Sequence, residues 1–161
     1  MAAGITYTPI ATTTLSSAQS SVTFSSISGS YTDLVLVCSV KATTGTPVMQ
    51  IAINSDSGSN YSRTGMYGDG SSAYSFRESS QTILGILTID ATNFSPAIIQ
   101  FNNYSNTTTY KTILSRSGIT YPAVQIGLWR STSAITSIVA STSSSTFVSG
   151  STFSLYGIRA A

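Results

Sequence analysis

The sequence predicts an all-β protein, an antiparallel β-sandwich of jelly-roll type with about eight to nine strands and almost no helix. Three observations carry this. The apolar residues recur with a period near two along most of the chain. The 161 residues include 32 Ser and 24 Thr, while only 7% are charged, so the Lys- and Glu-rich chemistry of surface helices is missing. Gly, Ser, Asn and Thr punctuate the apolar runs at intervals suited to turns between short strands.

The strands are read in order. Val22–Phe24 is a short first strand. In Tyr31–Lys41, Leu34, Leu36, Cys38 and Val40 share one face, while Val35 and Val37 point the other way, so its middle is expected to be buried on both sides. Val48–Asn54 aligns Met49, Ile51 and Ile53. Gln81–Asp90, Pro96–Asn103, Tyr110–Arg116, Ala123–Arg130, Ala134–Ser141 and Ser151–Arg159 complete the series. The expected core is Leu34, Leu36, Val37, Ile51, Ile53, Leu87, Ile99, Phe101, Ile113, Leu128, Ile138, Phe153 and Leu155.

Two stretches depart from this pattern. Residues 1–21 are rich in Ser and Thr with sparse apolar residues, and read as an extended N-terminal arm on a single domain of residues 22–161. The arm is held either by the domain's own sheet or by a neighbouring subunit. Its expected use is attachment, with Ile5, Tyr7, Ile10 and Leu15 as anchors, so that a chain starting at Val22 would still fold. Residues 54–80 read as a long polar loop, a place where contact surfaces concentrate. Tyr61, Tyr67 and Tyr74 of this loop, with Trp129, the one tryptophan, are the candidates for an exposed contact or glycan-binding surface.

Composition narrows the function. Seven Lys and Arg against five Asp and Glu give a net charge of +2, and no two basic residues are adjacent, which speaks against nucleic acid. Without histidine the chain lacks the commonest general base and metal ligand, and a Ser-His-Asp triad is excluded. One cysteine excludes an internal disulfide, and Cys38 within an apolar strand reads as a small buried hydrophobe. Asp69 and Glu78 could face each other across a cleft, but no motif surrounds them, and solvated loop charges are the plainer reading. The run Asn54–Asn60 alternates oxygen-bearing residues but lacks the glycine position and distal glutamate of a calcium loop, so a turn is expected there. No cofactor, metal or catalytic residue is assigned. The N-terminus has neither a basic region nor a sustained apolar run, and no apolar run approaches the length of a spanning helix, so membrane insertion is not expected.

Several segments together resemble a group of small β-rich virion structural proteins of tailed bacteriophages, cyanophages included. They are Ile10-Ala-Thr-Thr-Thr-Leu15, Val22-Thr-Phe-Ser-Ser-Ile27, Tyr31-Thr-Asp-Leu-Val-Leu36, Ile53 through Tyr61, Tyr110-Lys-Thr112, Gly127-Leu-Trp-Arg-Ser-Thr132 and Phe147 through Ile158. The likeness spans nearly the whole chain and is most specific at Gly127–Thr132 and in the terminal F-x-x-G-S-T-F-S-L-Y-G-I. It implies a non-enzymatic particle component, made in the bacterial cytoplasm and carried on the virion surface. The expected role is a capsid decoration or cement protein that braces capsomers, with itself (as a homotrimer) and the major capsid protein as partners. The alternative is a tail-fibre or receptor-binding module, with tail components and host surface glycan as partners.

Overall fold

The computed structural model describes residues 6–118 and 121–159. These form twelve strands in two antiparallel sheets, without helix among the described residues. In chain order the strands are β1 (Tyr7–Thr14), β2 (Ser21–Phe24), β3 (Asp33–Val40), β4 (Val48–Ile53), β5 (Tyr61–Gly68), β6 (Ala73–Gln81), β7 (Leu84–Thr88), β8 (Ser95–Phe101), β9 (Lys111–Ser117), β10 (Ala123–Trp129), β11 (Ile138–Thr142) and β12 (Thr152–Ile158). The larger sheet has the order β1-β12-β3-β8-β9-β10-β5-β6, and the smaller β2-β11-β4-β7.

The nine strands expected from alternation are all present, and three more join them. β5 and β6 pair as a hairpin where a long polar loop was expected. Their alternation is hidden because polar residues occupy most positions of both faces, leaving backbone pairing rather than apolar patterning to define them. The hairpin closes at Gly68–Ser72, where Asp69 accepts hydrogen bonds from the Ser71 and Ser72 N–H groups (2.8 and 2.7 Å) and Gly70 takes a φ of 89°.

The third addition is β1: of the two supports expected for the N-terminal stretch, Tyr7–Thr14 uses the domain's own sheet rather than a neighbouring subunit. Tyr7 through Thr14 run antiparallel along β12, so this stretch is the edge strand of the larger sheet. Leu15 is buried in the core and Ile10 packs against it. The backbone continues the attachment past the strand, with Leu15 N–H bonding Ser151 O at 2.9 Å and Gln19 N–H bonding Phe147 O at 3.1 Å. Two of the anchors are therefore used within the fold. Tyr7 remains half exposed, edge-on to Tyr156, and Ile5 lies outside the described residues.

The core lies between the sheets. Across the larger sheet the register aligns Leu155, Leu36 and Ile99 in one inward row, and Gly157, Leu34, Phe101 and Ile113 in the next. Opposite them sit Phe24, Met49, Ile51, Ile53, Leu84 and Ile138. Gly127 permits this closeness, because a Cβ there would lie 2.6 Å from a Leu84 methyl. Eleven of the thirteen expected core residues are buried. The two exceptions are Val37, 39% exposed, and Leu128, partly buried. Both sit on the outward phase of their strands, away from the smaller sheet; on that phase of β3 Val35 is buried and Val37 is not, so the strand is covered on both sides only at Val35. Cys38 is buried, as expected, and burial pushes its thiol far above the ordinary range.

The connection order follows a regular pattern once two hairpins are set aside. β1, β2, β3, β4, β7, β8, β11 and β12 form two four-stranded sets, β1-β12-β3-β8 and β2-β11-β4-β7. The hairpin β5–β6 is inserted between β4 and β7, and β9–β10 between β8 and β11. Both insertions extend the larger sheet beyond β8.

Candidate functional site

The four aromatic candidates separate into two groups. Tyr61 and Trp129 are opposite each other on β5 and β10, and both are buried at 0% and 2% exposure, which removes them from any contact surface. Their inward direction follows from the register, which sets them on the same face as Ile113 and Arg63. The Tyr61 hydroxyl accepts a hydrogen bond from Ile53 N–H at 3.0 Å and lies within donating distance of the Asp56 carbonyl at 3.2 Å. Burial raises its pKa.

Trp129 donates its Nε1–H to Asp56 Oδ2 at 2.7 Å. The same carboxylate accepts from Gly58 N–H at 2.8 Å and from Asn60 Nδ2. The bond from Trp129, then that from Asn60, holds the Asp56 pKa below the usual carboxylate value. Asn54 Oδ1 is also engaged, by the Thr136 and Ser137 N–H groups at 2.9 and 3.0 Å. The Asn54–Asn60 run is thus a turn in which Asn54 Oδ1 and the Asp56 carboxylate accept from the protein's own donors, with Asn54 and Ser55 at φ of 51° and 56°.

The carboxylate shifts set a pH dependence. Hydrogen bonds to Arg63 lower the Glu78 pKa, as the Trp129 bond lowers that of Asp56. A carboxyl with a lower pKa in the folded state contributes stability above its unfolded pKa and loses it as pH falls through the folded one. The urea midpoint is therefore expected to be level from pH 7 to about 5 and to fall below about pH 4. Asp56→Asn should flatten that fall; an unchanged acid limb would show that this carboxylate is not coupled to folding.

Tyr67 and Tyr74 come together in an aromatic cluster, Tyr74 exposed and Tyr67 half-buried. Their rings stack at 5.0 Å and 18°, and Tyr121 of the β9–β10 connection adds a third ring 5.9 Å from Tyr67. Tyr74 and Tyr121 are 43% and 47% exposed. Hairpin register brings Tyr67 opposite Tyr74, while Tyr121 arrives only through the adjacent β10, which is why sequence reasoning omitted it. Stacked tyrosines with accessible edges are chemically suited to sugar rings or to protein contact.

Asp69 and Glu78 do not face each other. Asp69 lies at the hairpin tip, whereas Glu78 is five residues beyond the start of β6, which alone places it about 16 Å away along the strand. Glu78 instead forms a two-pronged ion pair with Arg63, at 2.8 and 2.9 Å. Arg63 also lies over the Phe76 ring at 5.1 Å.

Lys111 is a site residue that sequence reasoning missed. It is fully buried opposite Trp129, and its ammonium donates to the Thr109 and Thr132 carbonyls at 2.7 and 3.2 Å, without a carboxylate partner among the described residues. Burial lowers its pKa. The unfolded chain then binds the proton more tightly, so stability should rise with pH as the folded-state amine loses its charge below the ordinary lysine value. Lys111→Met is expected to raise the thermal midpoint at neutral pH and abolish that alkaline gain. A lower midpoint would show that the ammonium is a net stabilising tie between the two carbonyls.

No family model matches the chain. No curated protein matches it either. Among solved structures, it is similar to a protein of unknown function from Shewanella oneidensis MR-1, at 10% identity over all of this chain and 82% of that one, with a TM-score of 0.26. A likeness that weak carries no argument about fold or function.

Proposed function

We propose that this chain is a non-enzymatic structural protein of a bacteriophage virion, a decoration or cement protein bound to the outside of the head, and that its fold is a jelly roll enlarged by two inserted hairpins. The observation that carries the reading is the pair of four-stranded orders, β1-β12-β3-β8 and β2-β11-β4-β7, with chain order passing between the sheets. Those orders support reading the eight strands as a wrapped pair of Greek keys, an architecture used by viral capsid and lectin domains. The resemblance of the sequence to small virion proteins agrees with it, as does a surface with few charges and an abundance of Ser and Thr.

A homotrimer fits the open edges. β1 and β6 end the larger sheet, and most residues of β6 are exposed. Long open edges associate unless covered, so pairing them between subunits would protect them. Sedimentation as a folded monomer at micromolar concentration would contradict this part of the proposal.

A second reading is supported by the Tyr67–Tyr74–Tyr121 cluster, which suits a tail-fibre module recognising host surface glycan. Quantitative peptide counting on purified virions of the encoding phage, with immunogold labelling, separates the two. Hundreds of copies spread over the head support decoration. About a dozen or fewer, at the tail, support the receptor-binding module. Absence from the particle overturns both.

A further inference from the structure

We infer that the outer face of the larger sheet, from β3 across to β6, is a docking surface whose partner is a virion protein surface of apolar side chains flanked by carboxylates. The inference rests on the virion reading and adds to it the face and the chemistry of the contact.

Register sets the outward side chains in rows. One row runs Val37, Ile98, Arg116, Val124, Met66 and Ser75 across six strands; the next runs Gln100, Leu114, Ile126, Thr64 and Arg77, beside Val35, which shares their outward phase but is itself buried. Met66, Ile126, Val124 and Val37 are 60%, 58%, 41% and 39% exposed. They lie within strands rather than at turns, on the side opposite the smaller sheet. A sheet face turned to water ordinarily alternates to polar residues. From β3 to β6 the face is roughly 24 Å wide at about 4.8 Å per strand spacing, large enough to form the apolar centre of a specific contact.

The charges on this face select the partner. All five carboxylates are already engaged: Asp33, on the same outward phase of β3 one step past Val35, by Asn103 N–H, Asp56 by Trp129, Asp69 by Ser71 and Ser72, Glu78 by Arg63, and Asp90 by Thr92 and Asn93. None falls in the two rows. The guanidinium groups of Arg77 and Arg116, which do, have no ion-pair or hydrogen-bond partner among the described residues. The face is therefore apolar with a net positive charge. Two copies meeting through it would bring together two faces of like charge with no free carboxylate to pair the arginines, which argues against a second copy as the occupant. Two arginines on an apolar field are too few for the many phosphate contacts of nucleic acid. A guanidinium suits the two oxygens of a carboxylate, and the apolar rows suit a protein surface. Beside Arg116, an open cavity of about 480 Å³ lined by Met66, Val124, Tyr67 and Pro122 offers a seat for one partner side chain.

The test uses the full chain and virions of the encoding phage made with an amber codon in its gene. Wild type, the double variant Arg77→Glu with Arg116→Glu, and chains carrying a photocrosslinking amino acid at Ile126 or, as a control, at Thr136 are added back. If the particles do not assemble without the chain, the same forms are supplied in the infected cell. The double variant should keep the wild-type thermal midpoint and bind roughly thirtyfold or more weakly. Wild-type binding should weaken between 0.1 and 1 M salt, as the screening length contracts from about 10 to 3 Å. The Ile126 chain should crosslink to a virion protein segment containing Asp or Glu, and the Thr136 chain should not.

Rebinding of the double variant at wild-type strength overturns this inference while leaving the virion reading intact. So does crosslinking through Ile126 to a second copy, to glycan or to lipid. If the chain is absent from wild-type virions, the virion reading fails and the docking inference falls with it.

Discussion

A chain beginning at Val22 is expected to lose at least about 3 kcal/mol of stability relative to the full chain. The loss has two physical sources. Leu15 leaves the core, and truncating a buried leucine costs about 2–5 kcal/mol. The β1–β12 ladder is also lost, which uncovers β12 (Thr152–Ile158) and creates a new edge. Removal of a disordered segment offsets neither, because Tyr7–Thr14 is a paired strand. Urea unfolding of the shortened and full-length proteins measures the difference. An unchanged midpoint would restore the reading of residues 1–21 as an arm independent of the core. A steep loss, with retained binding of the full chain carrying Tyr7→Ala to virions, would place attachment away from the N-terminus.

The second large effect is expected at Trp129. Trp129→Ala should destabilise by about 3–5 kcal/mol, the usual cost of truncating a large buried aromatic side chain. Part of this belongs to the indole N–H bond to Asp56. Trp129→Phe separates the terms, since it keeps most of the packing and leaves Asp56 without its indole donor. Its cost should be about 1.5–3 kcal/mol, the range for a hydrogen bond to a charged group. If Trp129→Phe is neutral, the Asp56–Trp129 bond contributes nothing net and the turn is held by its Asn60 and Gly58 bonds alone. A glycan-binding role for this tryptophan would instead require exposure that its place beside Tyr61 denies it.

The two effects show where the alternating pattern could be read and where it failed. β3, β4, β8 and β12 were legible because apolar residues repeat at every second position, and a strand buried on one face must repeat in this way. β1 and the β5–β6 hairpin were not. Their positions carry Thr, Ser, Tyr, Arg and Glu on both faces, so the pattern is silent, and hydrogen bonding to a neighbouring strand decides their state. Tyr61 illustrates the consequence. In a polar stretch it reads as exposed, yet antiparallel pairing with β10 turns it to the same side as Trp129 and into the core.

The pattern also marked Val35 and Val37 as a strand apolar on both sides without saying what lies beyond the second side. Only the tertiary arrangement shows that the smaller sheet covers one face, leaving Val37 in an open apolar row with Ile98, Val124 and Met66. The sequence by itself determined that this chain is a β protein with one tight core, because side-chain alternation is a local property of the backbone. Which strands neighbour one another was decided by the tertiary structure, because antiparallel pairing joins residues distant in the chain and leaves no local mark at either end. The tyrosine cluster, the buried Lys111 and the positively charged apolar face all belong to that second category. Each is assembled from strands whose neighbours could be known only after the sheets had closed.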